Sequence, residues 1–419
     1  MKPLPENDTC DLAIVGAGAA GLMAGIWAGR SGRHGRILVL ESARKPGAKI
    51  LVAGGGRCNV THETVDEGAF AGSTSPAIRK VLRRFDVPRT IAFFREMGVE
   101  LKREETGKLF PTTDSARTVL EALLKTAADA GAVVMHPRRV ESVARNGDGF
   151  VISGAPGAWG SISAGRVILA TGGMSLPKSG SDGHGYAIAR GLGHTTTPQL
   201  FPGLVPLTLE AGSFVRSLSG LSAPGTLEVR TASGARMTSF TGAILCTHFG
   251  LSGPAVLDIS RYFIDAQRED PGAHLVVNWL PGETTESVDT MLRDAGRRSA
   301  GGILRGRLPE RLARALCQEA GVDPAAAPGS LPRERRRALA GSIAAMPLPV
   351  TGNRGFTYAE VTAGGVPLSE LHLDTMESRR CPGLHLCGEI CDVDGRIGGF
   401  NFQWAWASGY VAGTEAGNA

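Results

Sequence analysis

Hydrophobic residues near the start of the chain follow a pattern that is typical of a strand, a glycine-rich turn and a helix. The segment Asp11–Val15 is a short apolar run that predicts a buried parallel strand. From Leu12 to Gly29 the chain carries no charge for eighteen residues and holds five glycines. A second apolar run, Ile37–Leu40, predicts another strand that ends directly before Glu41. The order strand, helix, strand predicts a βαβ unit.

The uncharged run has two other interpretations, a membrane span and a secretion signal. A membrane span needs about 20 strongly apolar residues, whereas this run is rich in glycine and alanine. A secretion signal carries positive charge before its apolar part, but here Glu6, Asp8 and Asp11 outweigh Lys2. Both interpretations are therefore disfavoured, and the run is expected to belong to the βαβ unit.

The rest of the pattern predicts further elements and changes in character near Gly193. Before that point the pattern predicts both helices and strands, and after it short apolar runs separated by glycine and proline predict a barrel or sandwich. The pattern is helical from about Thr285 to Ala345 and returns to buried-strand character at Gly383–Glu389. The predicted helices lie near Ser75–Phe85, Pro88–Met97 and Ser115–Ala130, and the predicted strands are Ala132–Met135, Val140–Ala144, Gly149–Ser153, Arg166–Ala170, Leu227–Thr231 and Leu275–Trp279.

Composition and charge are those of a large soluble protein with one unusual segment. With 419 residues, of which 42% are hydrophobic and 20% charged, the chain can form two or three domains. The formal net charge is +5, yet the window Met291–Ala340 alone holds eleven arginines, five acidic residues and no lysine. Seven scattered cysteines favour a reducing, cytoplasmic environment over a disulfide framework. The nine histidines show no metal-ligand spacing with cysteine or carboxylate residues.

The turn after the first predicted strand carries a dinucleotide-binding pattern. This loop consists of Gly16, Ala17, Gly18, Ala19, Ala20 and Gly21 and fits G-x-G-x-x-G. Such glycines let a pyrophosphate approach backbone N–H groups at a helix N-terminus. Glu41 lies twenty residues after Gly21, where a carboxylate accepts hydrogen bonds from an adenosine ribose. A strand, a helix and an acidic residue at these spacings therefore predict a dinucleotide site. The pattern fits either NAD or FAD.

Five motifs together resemble the BaiN/RdsA family of FAD flavoproteins, which includes aminoacetone oxidase-like members. They are GAGAAG with Glu41, GAKILVAGGGRCNVTH, ATGG, THFGLSGPAVL and GEICDVDGRIGGFNFQWAWASGYVAG. The resemblance covers nearly the full length, and the long carboxyl-terminal motif is specific. It implies an α/β fold in which a glutathione-reductase-like FAD-binding Rossmann domain is interrupted by an inserted β-barrel and a helical subdomain.

The resemblance and the change in pattern together predict three segments. Residues 1–192 are expected to form the first part of the FAD-binding domain, and residues 353–419 its carboxyl-terminal part. Residues 193–352 are expected to form the insert. Within it, a β-barrel is predicted over about 193–280 and an arginine-rich helical subdomain over about 281–345.

For the parts of FAD other than the flavin ring, the resemblance implies contacts at strand ends and backbone turns. Pyrophosphate is expected at Gly16–Gly21, the adenosine ribose at Glu41 and adenine at the backbone of Val140. The ribityl chain is expected at Gly388 and Glu389, which end the last predicted strand.

For the flavin ring, the resemblance implies contacts with the loop Lys49–Thr61 and with the carboxyl-terminal motif. Glycines in the loop permit close backbone contact with a flat ring. Amides at the start of the last helix are expected to face N1 and the C2 carbonyl and to stabilise negative charge there. The cofactor-binding residues predicted in these two motifs are Lys49, Gly55, Gly56, Arg57, Cys58, Asn59, Gly398, Gly399, Phe400, Asn401 and Gln403. Thr171 and Gly172 of the ATGG motif are also predicted to bind the cofactor.

Two side chains, Cys58 and His248, are candidate catalytic proton donors. A thiol beside the flavin can give up a proton, but a lone cysteine is more often a small buried hydrophobe. The resemblance brings His248 toward the flavin, where an imidazole can exchange a proton; a histidine that only holds its turn is an equal alternative. Disulfide reduction is not expected, because no C-x-x-C pair occurs and Cys387 and Cys391 are interpreted as packing residues.

Three functions fit these features. The first is a reductase of an activated C=C bond that uses NADPH or NADH as a transient reductant, because only one dinucleotide pattern is visible. Hydride would pass from flavin N5 to the β carbon, and Cys58 or His248 would protonate the α carbon. The second is an amine oxidase that acts on aminoacetone-like amines and oxygen, and the third is a non-catalytic flavin-dependent RNA-binding factor.

The resemblance offers two substrates for the reductase, uridine in ribosomal RNA and a steroid enone. The arginine-rich window 291–340 favours RNA, because fixed positive charge releases counterions from phosphates. It holds no aromatic residue, so contact would be led by phosphate rather than by base stacking. Solvated arginine-rich helices without a nucleic acid partner are an equal alternative.

Overall fold

The computed structural model describes residues 7–31 and 35–418, so residues 1–6, 32–34 and 419 of the predicted FAD-binding segments lie outside the described residues. The chain divides into two compact units. Unit 1 consists of Met1–Pro202 and Glu360–Ala419, and unit 2 is Gly203–Ala359. Unit 2 is therefore inserted in the sequence of unit 1.

Strands and helices both occur along the described chain, and several runs of one kind interrupt their alternation. The elements before unit 2 are β1 (Asn7–Val15), α1 (Ala19–Arg30), β2 (Ile37–Leu40), α2 (Ala48–Gly56), β3 (Thr61–His62), β4 (Phe70–Gly72), α3 (Ser75–Leu82), α4 (Val87–Glu96), β5 (Leu101–Arg103), β6 (Lys108–Pro111), α5 (Ala116–Asp129), β7 (Ala132–Met135), β8 (Ser142–Asn146), β9 (Gly149–Ser153), β10 (Ser161–Leu169), α6 (His184–Gly191) and β11 (Phe201–Gly203). Those of unit 2 are β12 (Leu207–Leu209), α7 (Phe214–Ser217), β13 (Ser222–Arg230), β14 (Arg236–Thr247), β15 (Gly250–Ser252), α8 (Pro254–Glu269), β16 (His274–Asn278), α9 (Thr285–Arg293), α10 (Ala300–Arg305), α11 (Glu310–Glu319), α12 (Arg333–Ala344), β17 (Met346–Leu348) and β18 (Val350–Asn353). The remaining elements are β19 (Val361–Ala363), β20 (Leu371–His372), β21 (Glu377–Ser378), β22 (Leu384–Leu386), β23 (Val393–Gly395) and α13 (Phe400–Asn418).

A parallel sheet forms the centre of unit 1. Its strands run in the order β22-β10-β1-β2-β7, and antiparallel strands extend it beyond β22 and β10. Ile14 pairs with Ile168 on one side and with Val39 on the other, and all three are fully buried. Strands covered on both faces need such continuous apolar runs. The carboxyl ends of these strands meet at one edge, where a doubly wound fold binds its ligand.

Helices α1 and α13 pack closely because three glycines at four-residue spacing line one face of α13. A Cβ at Gly409 would lie 2.6 Å from the carbonyl oxygen of Ala20. Methyl groups at Gly413 and Gly417 would likewise meet the backbone of α1. The absence of side chains at these positions lets the last helix rest against the first, so that both ends of the chain contribute to unit 1.

Unit 2 holds an antiparallel sheet covered by helices. Within the described residues its seven strands follow the order β17-β16-β13-β14-β15-β12-β18. Leu227, Leu275 and Trp279 are fully buried and pack in one core with residues of the unit's helices. The mixed α/β class with a Rossmann-type sheet is as predicted. The closed barrel stays a prediction, because the strand order of the described residues runs from β17 to β18 without a pairing between these two strands.

The predictions and the structure differ at three places near the site. Strand β8 begins at Ser142 rather than at Val140, so Val140 precedes the strand. The stretch Lys49–Thr61, predicted as a loop, starts as helix α2, and the backbone leaves the helical region only at Ala53. Strand β10 begins at Ser161 rather than Arg166. Its first half pairs with β9 as well as with β1, and these additional backbone partners extend the strand toward its amino-terminal end.

A buried histidine–carboxylate pair joins two segments of unit 1. His194 Nδ1 lies 2.8 Å from Glu370 Oε2, and Thr195 donates to the same carboxylate from its N–H and its hydroxyl. Burial by itself raises the pKa of Glu370, but the hydrogen bonds from Thr195 and His194 outweigh it, and the pKa lies below its ordinary value. The ionised carboxylate therefore stabilises the fold.

Replacing Glu370 with glutamine is expected to lower the free energy of unfolding by about 1–3 kcal/mol near neutral pH. Because the pKa of this carboxyl is depressed in the folded state, its contribution is present above the pKa of the unfolded chain and is lost as pH falls through the folded-state value. The difference between wild type and variant should therefore shrink below about pH 4. Urea unfolding at about pH 7 and about pH 3 checks this; an equal difference at both would contradict it.

Candidate functional site

The loop between β1 and α1 has the conformation of a pyrophosphate-binding turn. Gly16 has a φ of +107°, and a Cβ there would overlap the carbonyl oxygen of Ala170. A Cβ at Gly21 would overlap the carbonyl oxygen of Gly16, so both positions require glycine. At Gly18, nothing lies within 4 Å of the position that a Cβ would take. The loop is therefore closed on its inner side and open at Gly18.

The first turn of α1 supplies backbone donors beside this opening. Helical hydrogen bonding begins where Leu22 donates to the carbonyl of Gly18 at 2.9 Å. The amides of Ala19, Ala20 and Gly21 come before that bond and have no partner within the helix. Amides in this position, together with the helix dipole, favour a phosphate group.

Glu41 is buried at the carboxyl end of β2, where the pattern placed it. Its carboxylate accepts from the N–H of Ala17 at 2.8 Å and from that of Ala43 at 2.7 Å. Oε1 also accepts from the Ser42 hydroxyl at 3.2 Å, whereas Oε2 accepts only from Ala17. Because Oε2 has room for a further bond, Glu41 can hold the glycine loop and also accept from a ribose hydroxyl. Its carbonyl accepts from Arg138, which brings the segment with Val140 to the same sheet edge. The ribose and adenine contacts stay predictions.

The break in α2 forms an exposed glycine turn. Gly54, Gly55 and Gly56 have φ values of +58°, +69° and +86°. A Cβ at Gly55 would meet nothing within 4 Å. Just after the turn, Asn59 is more than nine-tenths buried, and its Oδ1 has no hydrogen-bond partner in the described part of the chain. A buried polar atom without a partner costs free energy, and a donor on a bound ligand would satisfy it.

Arg57, which is predicted at the flavin edge, forms its side-chain contacts with other residues of unit 1. Its guanidinium donates to Glu104 at 2.6 Å, lies 3.6 Å from Asp114 and stacks over the ring of Phe110 at 4.1 Å. The hydrogen bond to Glu104 is the main cause that raises the pKa of Arg57. The side chain therefore fastens the glycine turn to the β5–β6 hairpin.

Cys58 has the left-handed backbone conformation, with φ of +60°, and its side chain is fully buried. Burial raises the pKa of its thiol to about 12. A thiol that solvent does not reach is a poor proton donor to a substrate, so the structure favours the packing interpretation that the sequence left open. Cys387 and Cys391 are also fully buried, and all seven cysteines are free thiols.

A network of polar side chains joins Lys49 to Glu389. Lys49 Nζ donates to Glu389 Oε2 at 2.7 Å and to Ser175 Oγ at 2.9 Å. The Glu389 carboxylate also accepts from Ser175 Oγ at 2.9 Å and from the N–H of Thr362 at 3.0 Å. Two predicted residues, far apart in the chain, thus share one network at the sheet edge, where Gly388 and Glu389 follow β22.

Sequence reasoning missed Ser175 and Thr362. The signal that could have identified both is a pair of glycines beside a strand end. One pair, Gly172–Gly173, follows β10 and precedes Ser175, and the other, Gly364–Gly365, follows β19 and Thr362. Only the first pair belongs to one of the family motifs, ATGG.

Thr171 and Gly172 lie directly after β10, at the same edge of the sheet. Gly172 has φ of +71°, and a Cβ there would lie 2.6 Å from Ser181 Oγ. The Thr171 hydroxyl is buried and, like Asn59 Oδ1, has no partner within the described residues. Two polar atoms without a partner therefore lie in segments predicted to contact FAD.

The carboxyl-terminal motif forms a glycine pair before α13. Gly398 and Gly399 have φ values of +126° and +97°, and a Cβ at Gly399 would lie 2.6 Å from the backbone of β3. Helix α13 begins at Phe400. The side chain of Asn401 exchanges two hydrogen bonds with the backbone of Gly395, at 2.8 and 2.9 Å, and so fixes the helix start.

The prediction of a ligand-facing amide at Gln403 is corrected by the helix geometry. The N–H of Gln403 donates to the carbonyl of Gly399 at 2.9 Å, and its buried side chain is bonded to three other protein groups. Only amides before the first helical bond remain without a helical partner. These belong to Phe400, Asn401 and Phe402.

The residues of unit 1 fit FAD. An open glycine loop, the amides at the starts of α1 and α13, and the two buried polar atoms of Asn59 and Thr171 are features that a dinucleotide would complete. The amides at the start of α13 carry partial positive charge and can stabilise negative charge on a ring that they face. The assignment of each residue to one part of FAD stays a prediction.

His248 lies in unit 2, on the two-residue turn between β14 and β15. Its ring is exposed and meets the ring of Phe249 edge-on, with centroids 5.1 Å apart. Its carbonyl accepts from Arg216 Nε at 2.8 Å. The position of His248 toward the flavin stays a prediction.

The arginine-rich window is partly neutralised within unit 2. Among its eleven arginines, all within the described residues, five lie within 4 Å of a carboxylate: Arg293, Arg305, Arg307, Arg314 and Arg336. Arg297, Arg333 and Arg337 are exposed, and no ion pair is recorded for them in the described chain. The positive charge that remains for a partner is therefore smaller than the sequence count indicates.

Residues 7–31 and 35–418 contain no group of three or more His, Cys, Asp or Glu side chains that could hold a metal ion. None of their helices combines the length and the apolar character that crossing a membrane requires.

Comparisons with known proteins extend this picture. The family described as "HI0933-like protein Rossmann domain" matches residues 10–415. The chain is 34% identical over 408 residues to the ribosomal RNA dihydrouridine synthase of Escherichia coli, covering 97% of each protein. It is also 34% identical over 410 residues to the 3-dehydro-bile acid delta(4,6)-reductase of Clostridium scindens, covering 97% of this chain and 98% of that protein. The solved structure of E. coli quinol fumarate reductase FrdA, 16% identical, has a TM-score of 0.52 over 99% of this chain and 70% of its own, a likeness of fold.

Proposed function

Because this chain belongs to the HI0933-like Rossmann-domain family and is an FAD-dependent oxidoreductase, we propose that it reduces an activated carbon–carbon double bond with electrons from NAD(P)H. The family resemblance drawn from the motifs is confirmed. The observation that carries the proposal is the equal identity of 34% to two relatives with unlike substrates. A dihydrouridine synthase and a bile acid delta(4,6)-reductase both add hydrogen to a ring, so the common feature is the chemistry.

Bound FAD supplies two-electron transfer between the nicotinamide and the substrate. Of the chain's own residues, the loop Gly16–Gly21 and Glu41 would hold the nucleotide half of FAD. Asn59 and the amides at the start of α13 would hold and polarise the flavin half. The network of Lys49 and Glu389 would fix the strand end beside the ribityl chain.

Reduction of such a double bond also requires a proton for the second carbon. Cys58 is fully buried and its pKa is raised to about 12, so it is badly suited to this role. His248 has an exposed imidazole on a turn whose backbone is fixed by Arg216. We therefore infer that His248, rather than Cys58, donates the proton.

The nicotinamide nucleotide is proposed to bind transiently. One G-x-G-x-x-G pattern, at Gly16–Gly21, is visible in the sequence, and FAD would occupy it. NADPH or NADH would then have no Rossmann domain of its own and would leave after it has reduced the flavin.

Uridine in ribosomal RNA and a steroid enone are the two proposed substrates, matching the names of the two relatives. An RNA substrate would use the exposed arginines Arg297, Arg333 and Arg337, and its binding would weaken steeply with salt. A steroid substrate would bind independently of these residues. Ribosomal RNA fragments and a 3-oxo steroid with conjugated double bonds therefore serve as separate acceptors in the test.

Anaerobic stopped-flow absorbance of the yellow holoenzyme tests the proposal. NADPH or NADH is expected to bleach the flavin, and one of the two acceptors is expected to restore its colour. His248→Gln should slow the restoration by about 100-fold, the usual effect of losing a general acid, and leave bleaching nearly unchanged. Cys58→Ala serves as the matched variant and should restore colour at nearly the wild-type rate.

Two results would replace the proposal. Bleaching by aminoacetone, with colour restored by oxygen alone, would identify an amine oxidase. A flavin that neither the nicotinamide nucleotides nor the amine can bleach would identify a non-catalytic flavin-dependent factor.

A further inference from the structure

A group of aromatic and basic side chains lies at one end of the antiparallel sheet of unit 2. It consists of His248, Phe249, Arg354 and Tyr358, and we name it the arginine–aromatic cluster. His248 and Phe249 form the turn between β14 and β15, and the other two residues follow β18. The two segments are brought together by β12, because Thr208 pairs with β15 on one side and with β18 on the other.

Arg354 is held by two aromatic rings rather than by a carboxylate. Its Cζ lies 4.4 Å from the ring centroid of Phe249 and 3.8 Å from that of Tyr358. In the described part of the chain, no ion pair is recorded for this guanidinium, unlike five of the arginines in the window 291–340. Cation–π contacts hold the group over its faces and leave the N–H donors, which point outward in its plane, for another partner.

The neighbouring polar groups are also available. The His248 ring is exposed, and Tyr358 is 51% exposed. For neither the imidazole nor the phenol hydroxyl is a hydrogen bond recorded among the described residues. Three kinds of donor therefore lie beside two aromatic rings, and among the described residues no ion pair with an acidic residue is recorded for Arg354 or His248.

The backbone that carries the cluster is fixed. Arg216 donates to the carbonyl of His248 at 2.8 Å, and the N–H of Arg354 donates to the carbonyl of Pro206 at 3.0 Å. After Arg354, the N–H of Gly355 donates to Asn353 Oδ1 at 2.8 Å, and that of Tyr358 to the carbonyl of Gly355 at 3.1 Å. Groups held in place lose little entropy when a ligand binds.

We propose that the arginine–aromatic cluster is a binding subsite for an oxyanion, a carboxylate or phosphate group, carried by the substrate or by the nicotinamide nucleotide. The planar fork of an arginine matches both groups with two parallel hydrogen bonds. The rings of Phe249 and Tyr358 offer apolar faces to the rest of the ligand. The inference rests on the proposed function, because the ligand is a reactant of the reductase and His248, the inferred proton donor, belongs to the same cluster.

Binding to the holoenzyme, measured by isothermal titration calorimetry without turnover, tests the subsite. The phosphate arm compares NADP⁺ with nicotinamide riboside, which has no phosphate. The carboxylate arm compares a 3-oxo steroid that bears a side-chain carboxylate with its methyl ester. The variants are Arg354→Gln, Arg354→Lys, Tyr358→Phe and, as the matched control, Arg190→Gln, which removes an exposed arginine of α6.

In at least one of the two comparisons, the probe that carries the phosphate or carboxylate should bind to the wild-type protein more tightly than the compound that lacks this charged group. Arg354→Gln should raise the Kd of that probe by about 10-fold or more, because a charge-assisted hydrogen bond is lost. Arg354→Lys should restore part of the affinity, Tyr358→Phe should have a smaller effect, and Arg190→Gln should bind like wild type. All variants should keep the FAD absorbance and melting temperature of wild type.

The arm that responds identifies the source of the oxyanion, the nucleotide or the substrate. The proposal is overturned if neither charged probe is preferred over its partner, or if Arg354→Gln binds both as wild type does. Because no turnover is measured, an enzyme that proves unable to reduce either acceptor would refute the proposed reaction without deciding the binding result.

Discussion

Gly21→Ala is expected to yield a protein that retains little or no FAD and unfolds more readily than wild type. The added Cβ would overlap the carbonyl oxygen of Gly16, an atom of the backbone that cannot rotate away. Either α1 or the glycine loop must shift, and the methyl group would also lie 3.3 Å from the Cβ of Ala170. Overpacking between backbone segments of this kind costs about 3 kcal/mol or more. Thermal unfolding and flavin absorbance measure the two effects.

Gly18→Ala is the matched control, because it makes the same chemical change in the same loop. Gly18 has φ of −80°, which alanine adopts readily, and no atom lies within 4 Å of its Cβ position. The FAD-free variant should therefore unfold within about 0.5 kcal/mol of wild type. Its affinity for FAD should nevertheless fall, because the methyl group occupies the open side of the loop. Wild-type FAD affinity in this variant would refute the pyrophosphate site.

Glu389→Leu is expected to lower the free energy of unfolding by about 2–4 kcal/mol and to weaken FAD binding. The carboxylate accepts hydrogen bonds from Lys49, Ser175 and Thr362, and its side chain is only 18% exposed. Leucine would leave a largely buried ammonium and a backbone N–H without their acceptor. Urea unfolding of the FAD-free protein separates the structural cost from the loss of FAD affinity.

A double-mutant cycle with Lys49→Met isolates the ion pair. The double variant should recover part of the stability lost in Glu389→Leu, because it no longer holds an unpaired ammonium. Lys125→Met provides the comparison, since the pair of Lys125 with Asp129 is 77% and 62% exposed and should contribute less than about 0.5 kcal/mol. Strict additivity of the Lys49 and Glu389 effects would show that the pair is not coupled.

The sequence predicted well those parts of the fold whose pattern is continuous and local. Strands Ile37–Leu40, Ala132–Met135 and Gly149–Ser153 have the predicted bounds, because uninterrupted apolar or alternating runs end at turn residues. It was less accurate at α2, where a helix precedes three glycines. The glycine signal there dominated the interpretation, although Lys49 and its neighbours are ordinary helix formers.

Site residues that act through the backbone were easier to predict than those that act through side chains. Gly16, Gly21 and Gly399 were marked by their residue type, since only glycine fits the space that each has. Ser175 and Thr362 were not, because serine and threonine occur throughout the chain, and their contact with Glu389 exists only when separate strand ends meet.

By itself, the sequence determined the βαβ start, the dinucleotide loop with its acid and the family, because these depend on residue types at short, fixed spacings. Tertiary structure alone decided which groups remain available. It tied Arg57 to Glu104, buried Cys58, placed the amide of Gln403 inside the helix and left Arg354 between two rings. A donor or acceptor is satisfied by the residues that lie next to it in the folded chain. The packing of segments that are far apart in the sequence decides which residues these are.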